Sequence, residues 1–275
     1  MCKDIDVSNK PDIEVGEDAS SLLPVDEHVE EVTENGKTVR RRGIYLLPNL
    51  FTTAALFCGF YAVVSAMEGK FEIASIAIFI AMILDGLDGR VARMTNTSSA
   101  FGAEYDSLSD MVAFGVAPAL VVFTWAISDL GKFGWMMAFV YVACAALRLA
   151  RFNTQVETAD KRYFTGLPSP SAAAVIAGMV WCFSDLGIGG ETAGLAIGAA
   201  VITGLAGVLM VCNIQYHSFK ELDLKGRVPF VAILAVVLVF AVIFMDPPRV
   251  LWGVFMLYMV VPPVLALGRA RKRWF

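Results

Sequence analysis

From residue 50 to the C-terminus the chain alternates long apolar runs with short polar or basic breaks. Eight runs can be counted, at 50–68, 71–93, 103–127, 133–152, 171–185, 192–212, 229–245 and 249–267, the fifth being the shortest. Roughly 20 mostly apolar helical residues cross the hydrocarbon core of a bilayer. The pattern therefore predicts an all-α fold, a polytopic integral membrane bundle of about eight transmembrane helices. Residues 1–43 carry no sustained apolar periodicity and are expected to form an acidic, largely disordered cytoplasmic tail. Residues 44–268 form the expected transmembrane catalytic domain, and 269–275, with Trp274 beside the arginines, a basic interfacial anchor on the cytoplasmic side.

Composition agrees: 57% of the 275 residues are hydrophobic and 17% charged, outside the range of soluble domains. The net charge of −4 misleads, because residues 1–39 hold eleven acidic side chains against Lys3, Lys10 and Lys37, which leaves the remainder at +4. Sixteen of the other basic residues fall on one set of alternate loops and three, Lys70, Lys132 and Arg249, on the other. By the positive-inside rule both termini then face the cytoplasm, in a multi-pass protein of the cell (inner) membrane. No basic start, apolar run and cleavage site mark a signal peptide. Cys2, Cys58, Cys144, Cys182 and Cys212 have no metal-ligand spacing and are expected to be small buried apolar residues. His28 and His217 read as tail and loop residues. A nucleic-acid partner is not expected; membrane lipids are.

Against this background four carboxylates stand out, in Asp85-x2-Asp88-Gly89-x2-Ala92-Arg93-x8-Gly102-x3-Asp106-x3-Asp110. Ionisable groups beside lipid must be paired, hydrated or ion-bound. Asp85, Asp88, Gly89 and Ala92 share one face at the end of the second run, and Gly102, Asp106 and Asp110 form a stripe at the start of the third. The short polar connector between them, 94–101, turns the two helices antiparallel, so the stripes face each other. Four hard oxygen donors without His or Cys suit Mg²⁺, Mn²⁺ or Ca²⁺, and two divalent cations would balance their charge. Paired cations are a recurring device for displacement at phosphorus. Gly86, Gly89, Ala92 and Gly102 leave a groove in which a nucleotide or pyrophosphate can approach the backbone, with Arg93 placed to neutralise phosphate. The plain readings are helix packing for the small residues and caps or turns for the aspartates. Four acids beside two arginines leave too much uncompensated charge for the second.

These residues resemble the signature of the CDP-alcohol phosphotransferase family, with every fixed position matched. The resemblance implies a six-helix core with additions, often a homodimer, and a dimetal site at the cytoplasmic face holding Mg²⁺ or Mn²⁺. It implies Asp85, Asp88 and Asp106 as metal ligands and Asp110 as a further ligand or the base, making Asp106 and Asp110 catalytic. Gly89, Ala92, Arg93 and Gly102 would line the CDP site, with Gly86 added from the small-residue groove.

Within the family, three segments resemble the phosphatidylserine synthase branch: Arg41-Arg42-Gly43-Ile44-Tyr45-Leu46-Leu47-Pro48-Asn49, Ala150-Arg151-Phe152-Asn153 and Tyr163-Phe164-Thr165-Gly166-Leu167-Pro168-Ser169-Pro170. That implies CDP-diacylglycerol and L-serine as substrates, with Asn49, Arg148, Arg151 and Ser169 candidates for the lipid phosphate or the serine. The residues give some independent support. Arg148 and Arg151, nearly one turn apart at a helix end, can hold a phosphate or a carboxylate, although anchoring on the basic side of the membrane is the plain alternative. Two rival functions remain at this level. One keeps the chemistry and changes the acceptor to glycerol 3-phosphate, an inositol phosphate or choline. The other is an ion-coupled transporter, which also uses intramembrane acids but predicts inverted repeats and broken helices at mid-depth.

Overall fold

The computed structural model describes residues 31–34, 37–40, 46–95, 100–155, 163–190, 192–217 and 230–273. The chain divides into two compact units, Met1–Gly43 and Ile44–Phe275. In the first, β1 (Glu31–Glu34) pairs antiparallel with β2 (Lys37–Arg40), Val32 opposite Val39. The residues between the strands in sequence are Asn35-Gly36, a pair that suits the tight turn of a hairpin. A period too short to register as an apolar run hid this element within the acidic segment.

The second unit is a helical bundle. Its helices are α1 (Leu46–Met67), α2 (Phe71–Thr95), α3 (Ala100–Asp110), α4 (Ala117–Val122), α5 (Lys132–Gln155), α6 (Ser169–Asp185), α7 (Ala193–Val211), α8 (Phe230–Met245) and α9 (Pro247–Arg273). Every apolar run of the sequence coincides with one of these helices or, for the third, with a composite rod. That rod continues α3 through a π-helical turn at Met111–Val116, α4, a second π turn at Phe123–Ile127 and a 3₁₀ turn at Ser128–Leu130.

Among the described residues five helical stretches are long and apolar enough to cross a membrane: Asn49–Met67, Phe101–Leu130, Lys132–Thr154, Gly194–Val211 and Pro247–Ala266. The expected count of about eight is thus not reached by length and composition. The reason differs from helix to helix. α2 carries Asp85, Asp88, Arg90 and Arg93 in its last turns, while α6 has only 17 residues and α8 only 16. The shortness of α6 is explained by its place: it packs against α2, α4, α7 and α9, and Ala172 through Val180 are all buried. Apolarity on every side suits either lipid or a protein interior, and the burial of α6 on all sides settles it as an interior helix.

Small residues set the helix spacing. At Gly59 on α1 an added Cβ would lie 2.7 Å from Ala113 Cα, and at Gly207 on α7 2.9 Å from Tyr141 Cα. Such approaches are the usual basis of tight helix association in membranes, where lipid supplies no hydrophobic drive. Two further short strands, β3 (Tyr163–Thr165) and β4 (Gln215–His217), pair antiparallel, Phe164 opposite Tyr216. The apolar pattern does not anticipate them.

Candidate functional site

The site forms where the end of α2 meets the start of α3. Carboxylate oxygens of Asp85, Asp88 and Asp106 all lie within 4.8 Å of one another. Helical spacing explains the arrangement. Asp85 and Asp88 are one turn apart on α2, and Asp106 projects from α3. α1 supplies the third wall: the buried Thr52 hydroxyl donates to Asp88 Oδ2 at 2.8 Å, and Asp88 also accepts from the Gly89 backbone N–H. Two contacts brace α1 against α3, with Ser109 Oγ donating to the Thr52 carbonyl at 3.0 Å and the Thr53 and Tyr105 hydroxyls 2.9 Å apart.

Asp110 sits at the junction between α3 and the first π turn. It stands outside the group of three but within hydrogen-bonding reach of Asp85, and its charged neighbours are Asp85, Asp106 and Arg148. The π turn beyond it is held from α5, where the fully buried Tyr141 donates to the Phe114 carbonyl at 2.8 Å. π turns shift the register of the residues that follow and recur at functional sites.

Arg148, on α5, faces this acidic cluster, and its Nη1 donates to Ser169 Oγ at 2.6 Å. Ser169 is fully buried at the first position of α6. The turn that delivers it is clamped: the Gly166 N–H donates to the Ile214 carbonyl at 2.8 Å and the Leu167 N–H to the Leu209 carbonyl at 2.9 Å. Gly166 has φ +85°, and an added Cβ would run into the Met210 carbonyl oxygen. Glycine is required there on both counts.

The residues expected from the sequence therefore separate into groups. Asp85, Asp88 and Asp106 come together, Asp110 adjoins them, and Arg148 and Ser169 meet one another on the same side. Gly86 and Gly89 are exposed, and a side chain at either would meet nothing within 4 Å among the described residues. They consequently do not serve close helix packing, and the space above them is open. Gly102 is half-buried on α3. Ala92 and Arg93 lie on α2, but their side chains fall outside the described residues. Asn49 is half-buried on α1, where its carbonyl accepts from Thr53 Oγ1 at 2.7 Å. Arg151 reaches instead to the Val211 carbonyl at the end of α7, at 3.5 Å, a helix-capping role. In the same segment Asn153 accepts from Ser107 Oγ at 3.1 Å. Thr52, Ser109 and Tyr141 were not singled out in the sequence. Thr52 lies one turn beyond Asn49, and that spacing was the one available signal.

Chemically the cluster is a set of hard anionic oxygens without His or Cys, which fits a divalent cation and not a soft metal. Carboxylates this close cannot all stay ionised unless a positive charge lies among them. Arg148 stands to one side, toward Asp110 and Asp85, so Asp88 and Asp106 are left for a cation to satisfy.

A protein-family model described as CDP-alcohol phosphatidyltransferase matches residues 45–218. Among curated proteins, the chain is 38% identical over 219 residues to a CDP-diacylglycerol–serine O-phosphatidyltransferase of Helicobacter pylori, covering 79% of this chain and 91% of that one. It is 33% identical over 250 residues to the protein of the same description from Mycobacterium tuberculosis, covering 87% and 84%. An archaetidylserine synthase of Methanothermobacter thermautotrophicus is 34% identical over 174 residues, or 62% of this chain and 69% of that one.

Proposed function

We propose, for a chain that belongs to the CDP-alcohol phosphatidyltransferase family, that it transfers the phosphatidyl group of CDP-diacylglycerol to the hydroxyl of L-serine, giving phosphatidylserine and CMP. It is an integral membrane enzyme. The observation that carries the reading is the meeting of Asp85, Asp88 and Asp106 within 4.8 Å beside Asp110 and Arg148, in a chain whose similar proteins bear serine phosphatidyltransferase names.

Asp85, Asp88 and Asp106 would hold two divalent cations, Mg²⁺ or Mn²⁺, with Asp110 available as a further ligand. When bound, the cations supply positive charge to the pyrophosphate and to the departing CMP oxygen. The residues of the chain do the rest. The open space over Gly86 and Gly89 receives the CDP moiety close to the backbone, with Ala92, Arg93 and Gly102 the further candidates that the sequence names for it. Arg148, fixed by Ser169, offers remaining guanidinium donors to the serine carboxylate, for which its planar fork is suited. Serine held there directs its hydroxyl toward Asp110, the neighbour of Arg148 on the acidic side. Asp110 accepts the hydroxyl proton as the serine oxygen bonds to the lipid-linked phosphorus and the bond from that phosphorus to the CMP oxygen breaks. Asn49, at the start of α1, is left as an outer candidate of this acceptor side, and Arg151, which reaches the end of α7, is not used in it.

The excess of positive charge on one set of loops supports a cytoplasmic site and cytoplasmic termini in the cell membrane, with the acyl chains left in the bilayer. The homodimer implied by the family resemblance is part of the same proposal and is tested by the mass of the detergent-solubilised particle. The activity itself is tested by CMP release from CDP-diacylglycerol with Mg²⁺ or Mn²⁺, comparing serine with glycerol 3-phosphate, an inositol phosphate and choline. Release that requires serine and a divalent cation is expected. Release with another acceptor and not serine would sink the acceptor assignment, and release undiminished by chelation would sink the metal site.

A further inference from the structure

α9 lies beyond residues 45–218, the part of the chain that the family model covers, yet it is joined to the turn that delivers Ser169. Its body packs along α6, where Gly178 admits it so closely that an added Cβ would lie 3.2 Å from Trp252 Cα. Two turns further along α9 is the buried Met259, followed by the adjacent prolines Pro262 and Pro263 inside the helix.

Proline has no N–H, so Pro263 cannot give the Met259 carbonyl its i→i−4 hydrogen bond. A buried carbonyl without that helical partner needs another donor. Here the donor comes from outside the helix. The fully buried Tyr216, on β4, donates its hydroxyl to the Met259 carbonyl at 3.2 Å, and its ring lies 5.6 Å from that of Tyr258. The segment that carries Tyr216 also holds the Ser169 turn. Ile214, just before β4, offers the carbonyl that takes the Gly166 N–H at 2.8 Å, and Tyr216 itself stands opposite Phe164 in the β3–β4 pair. Beyond Gly166 and Leu167 the chain enters α6 at Ser169, whose hydroxyl takes Arg148 Nη1 at 2.6 Å. Every step from the proline to the arginine is thus a hydrogen bond or a short stretch of backbone.

We propose that Tyr216 is a positioning residue of the acceptor site: its hydroxyl, taking the Met259 carbonyl that Pro263 leaves without a helical donor, ties β4 to α9 and so fixes the turn that presents Ser169 to Arg148. The proposal rests on the reading of Arg148 as the partner of the acceptor's carboxylate. A guanidinium fork binds a carboxylate through two parallel hydrogen bonds only while its plane is held, and the Ser169 hydroxyl holds it from α6. The nucleotide side has other supports. Its aspartates lie on α2 and α3 and are braced from α1 through Thr52. Loosening the tie between β4 and α9 therefore weakens binding of the acceptor and spares that of CDP-diacylglycerol.

The test compares Tyr216→Phe with the wild type, measuring KM for serine, KM for CDP-diacylglycerol, kcat and thermal stability in detergent. Phenylalanine keeps the ring and removes only the hydroxyl. Serine KM should rise about three- to tenfold, the range of one hydrogen bond between uncharged groups, with KM for CDP-diacylglycerol close to wild type. A serine KM raised less than about threefold, or an equal rise for both substrates, overturns the proposal. Tyr216→Phe also leaves the Met259 carbonyl unsatisfied and should lower thermal stability. Pro263→Ala returns a helical N–H to that carbonyl and supplies the second variant. In the double variant stability should recover, while serine KM stays about three- to tenfold above that of Pro263→Ala alone, because the carbonyl is satisfied but β4 is no longer tied to α9. A double variant that matches Pro263→Ala for serine overturns the proposal and leaves the hydroxyl as a donor to a carbonyl and nothing more. Arg148→Lys in the same assays separates this inference from the reading beneath it. If that variant leaves serine KM unchanged, or if the wild type uses another acceptor and not serine, the reading of Arg148 has failed and the proposal falls with it. If Arg148→Lys raises serine KM and Tyr216→Phe does not, the proposal alone has failed.

Discussion

Replacing Thr52 by valine tests the metal centre through a residue that would touch no cation. Valine matches threonine in shape, so the change deletes one hydroxyl from a position only 4% exposed and leaves Asp88, 6% exposed, without its α1 partner. A hydrogen bond to a charged group contributes about 1.5–3 kcal/mol. It is strongest when the acceptor is fully ionised, which is the condition of Asp88 with a cation bound. The loss therefore falls mainly on the loaded state. At about 1.4 kcal/mol per tenfold, metal affinity should weaken roughly 10- to 100-fold, the range seen when outer-shell partners of metal ligands are removed. The assay is a Mn²⁺ titration read both by binding, through the manganese paramagnetic signal, and by CMP release. The half-saturating concentration should rise in both, while the rate at saturating Mn²⁺ largely recovers. Thr52→Ser, which keeps the donor, should behave like wild type. A valine variant with unaltered Mn²⁺ half-saturation would refute the reasoning and reduce Thr52 to a packing residue between α1 and α2.

Four further outcomes are expected. Arg148→Lys keeps the charge and loses the planar fork, so serine KM should rise at least about tenfold with little change in KM for CDP-diacylglycerol; parallel changes in both would refute an acceptor role. Gly89→Ala should separate stability from activity, because the added methyl meets nothing and alanine gains up to about 1 kcal/mol of helix preference. Its thermal stability should hold or rise while KM for CDP-diacylglycerol increases, and unchanged kinetics would remove Gly89 from the CDP site. Gly166→Ala combines a left-handed φ, costing about 1–2 kcal/mol, with overpacking against Met210, costing about 1–3 kcal/mol. It should lower the midpoint of thermal denaturation clearly, and a wild-type midpoint would contradict the clamped turn. Chelation should abolish CMP release, with recovery on adding Mg²⁺ or Mn²⁺.

Much of the fold could be read from the chain because each helix of the bundle is itself an apolar run. What periodicity could not give was depth. The run at 171–185 has the composition of a span, but α6 is wrapped by other helices, and its 17 residues are enough for a core helix that need not present a full apolar length to lipid. Nor could it give the breaks inside the rod from Phe101 to Leu130. π turns change the hydrogen-bonding step without changing composition, so the stripe Gly102, Asp106, Asp110 is regular up to the first turn and loses its meaning beyond it. The hairpin at Glu31–Arg40 shows the opposite failure. Its Asn-Gly signal was present, but it lay among acidic residues whose composition suggested a largely disordered segment.

The two halves of the site differ in the same way, and the difference has a mechanistic consequence. The aspartates belong to two neighbouring helices joined by a short connector, so helical spacing alone brings them together and the pattern is visible in one stretch of sequence. The proposed acceptor side draws Arg148 from α5 and Ser169 from α6, the latter delivered by the turn that follows β3. No spacing rule connects those positions; helix packing and a positive-φ glycine do. Arg151 makes the point sharply. It carries the same charge as Arg148 and lies three residues away, yet it reaches the end of α7. The proposed metal half is consequently determined locally and should tolerate change elsewhere in the bundle, whereas the proposed acceptor half depends on the register between distant helices. Substitutions in the Gly166 turn, which delivers Ser169 to Arg148, should therefore alter discrimination among acceptors before they alter metal dependence.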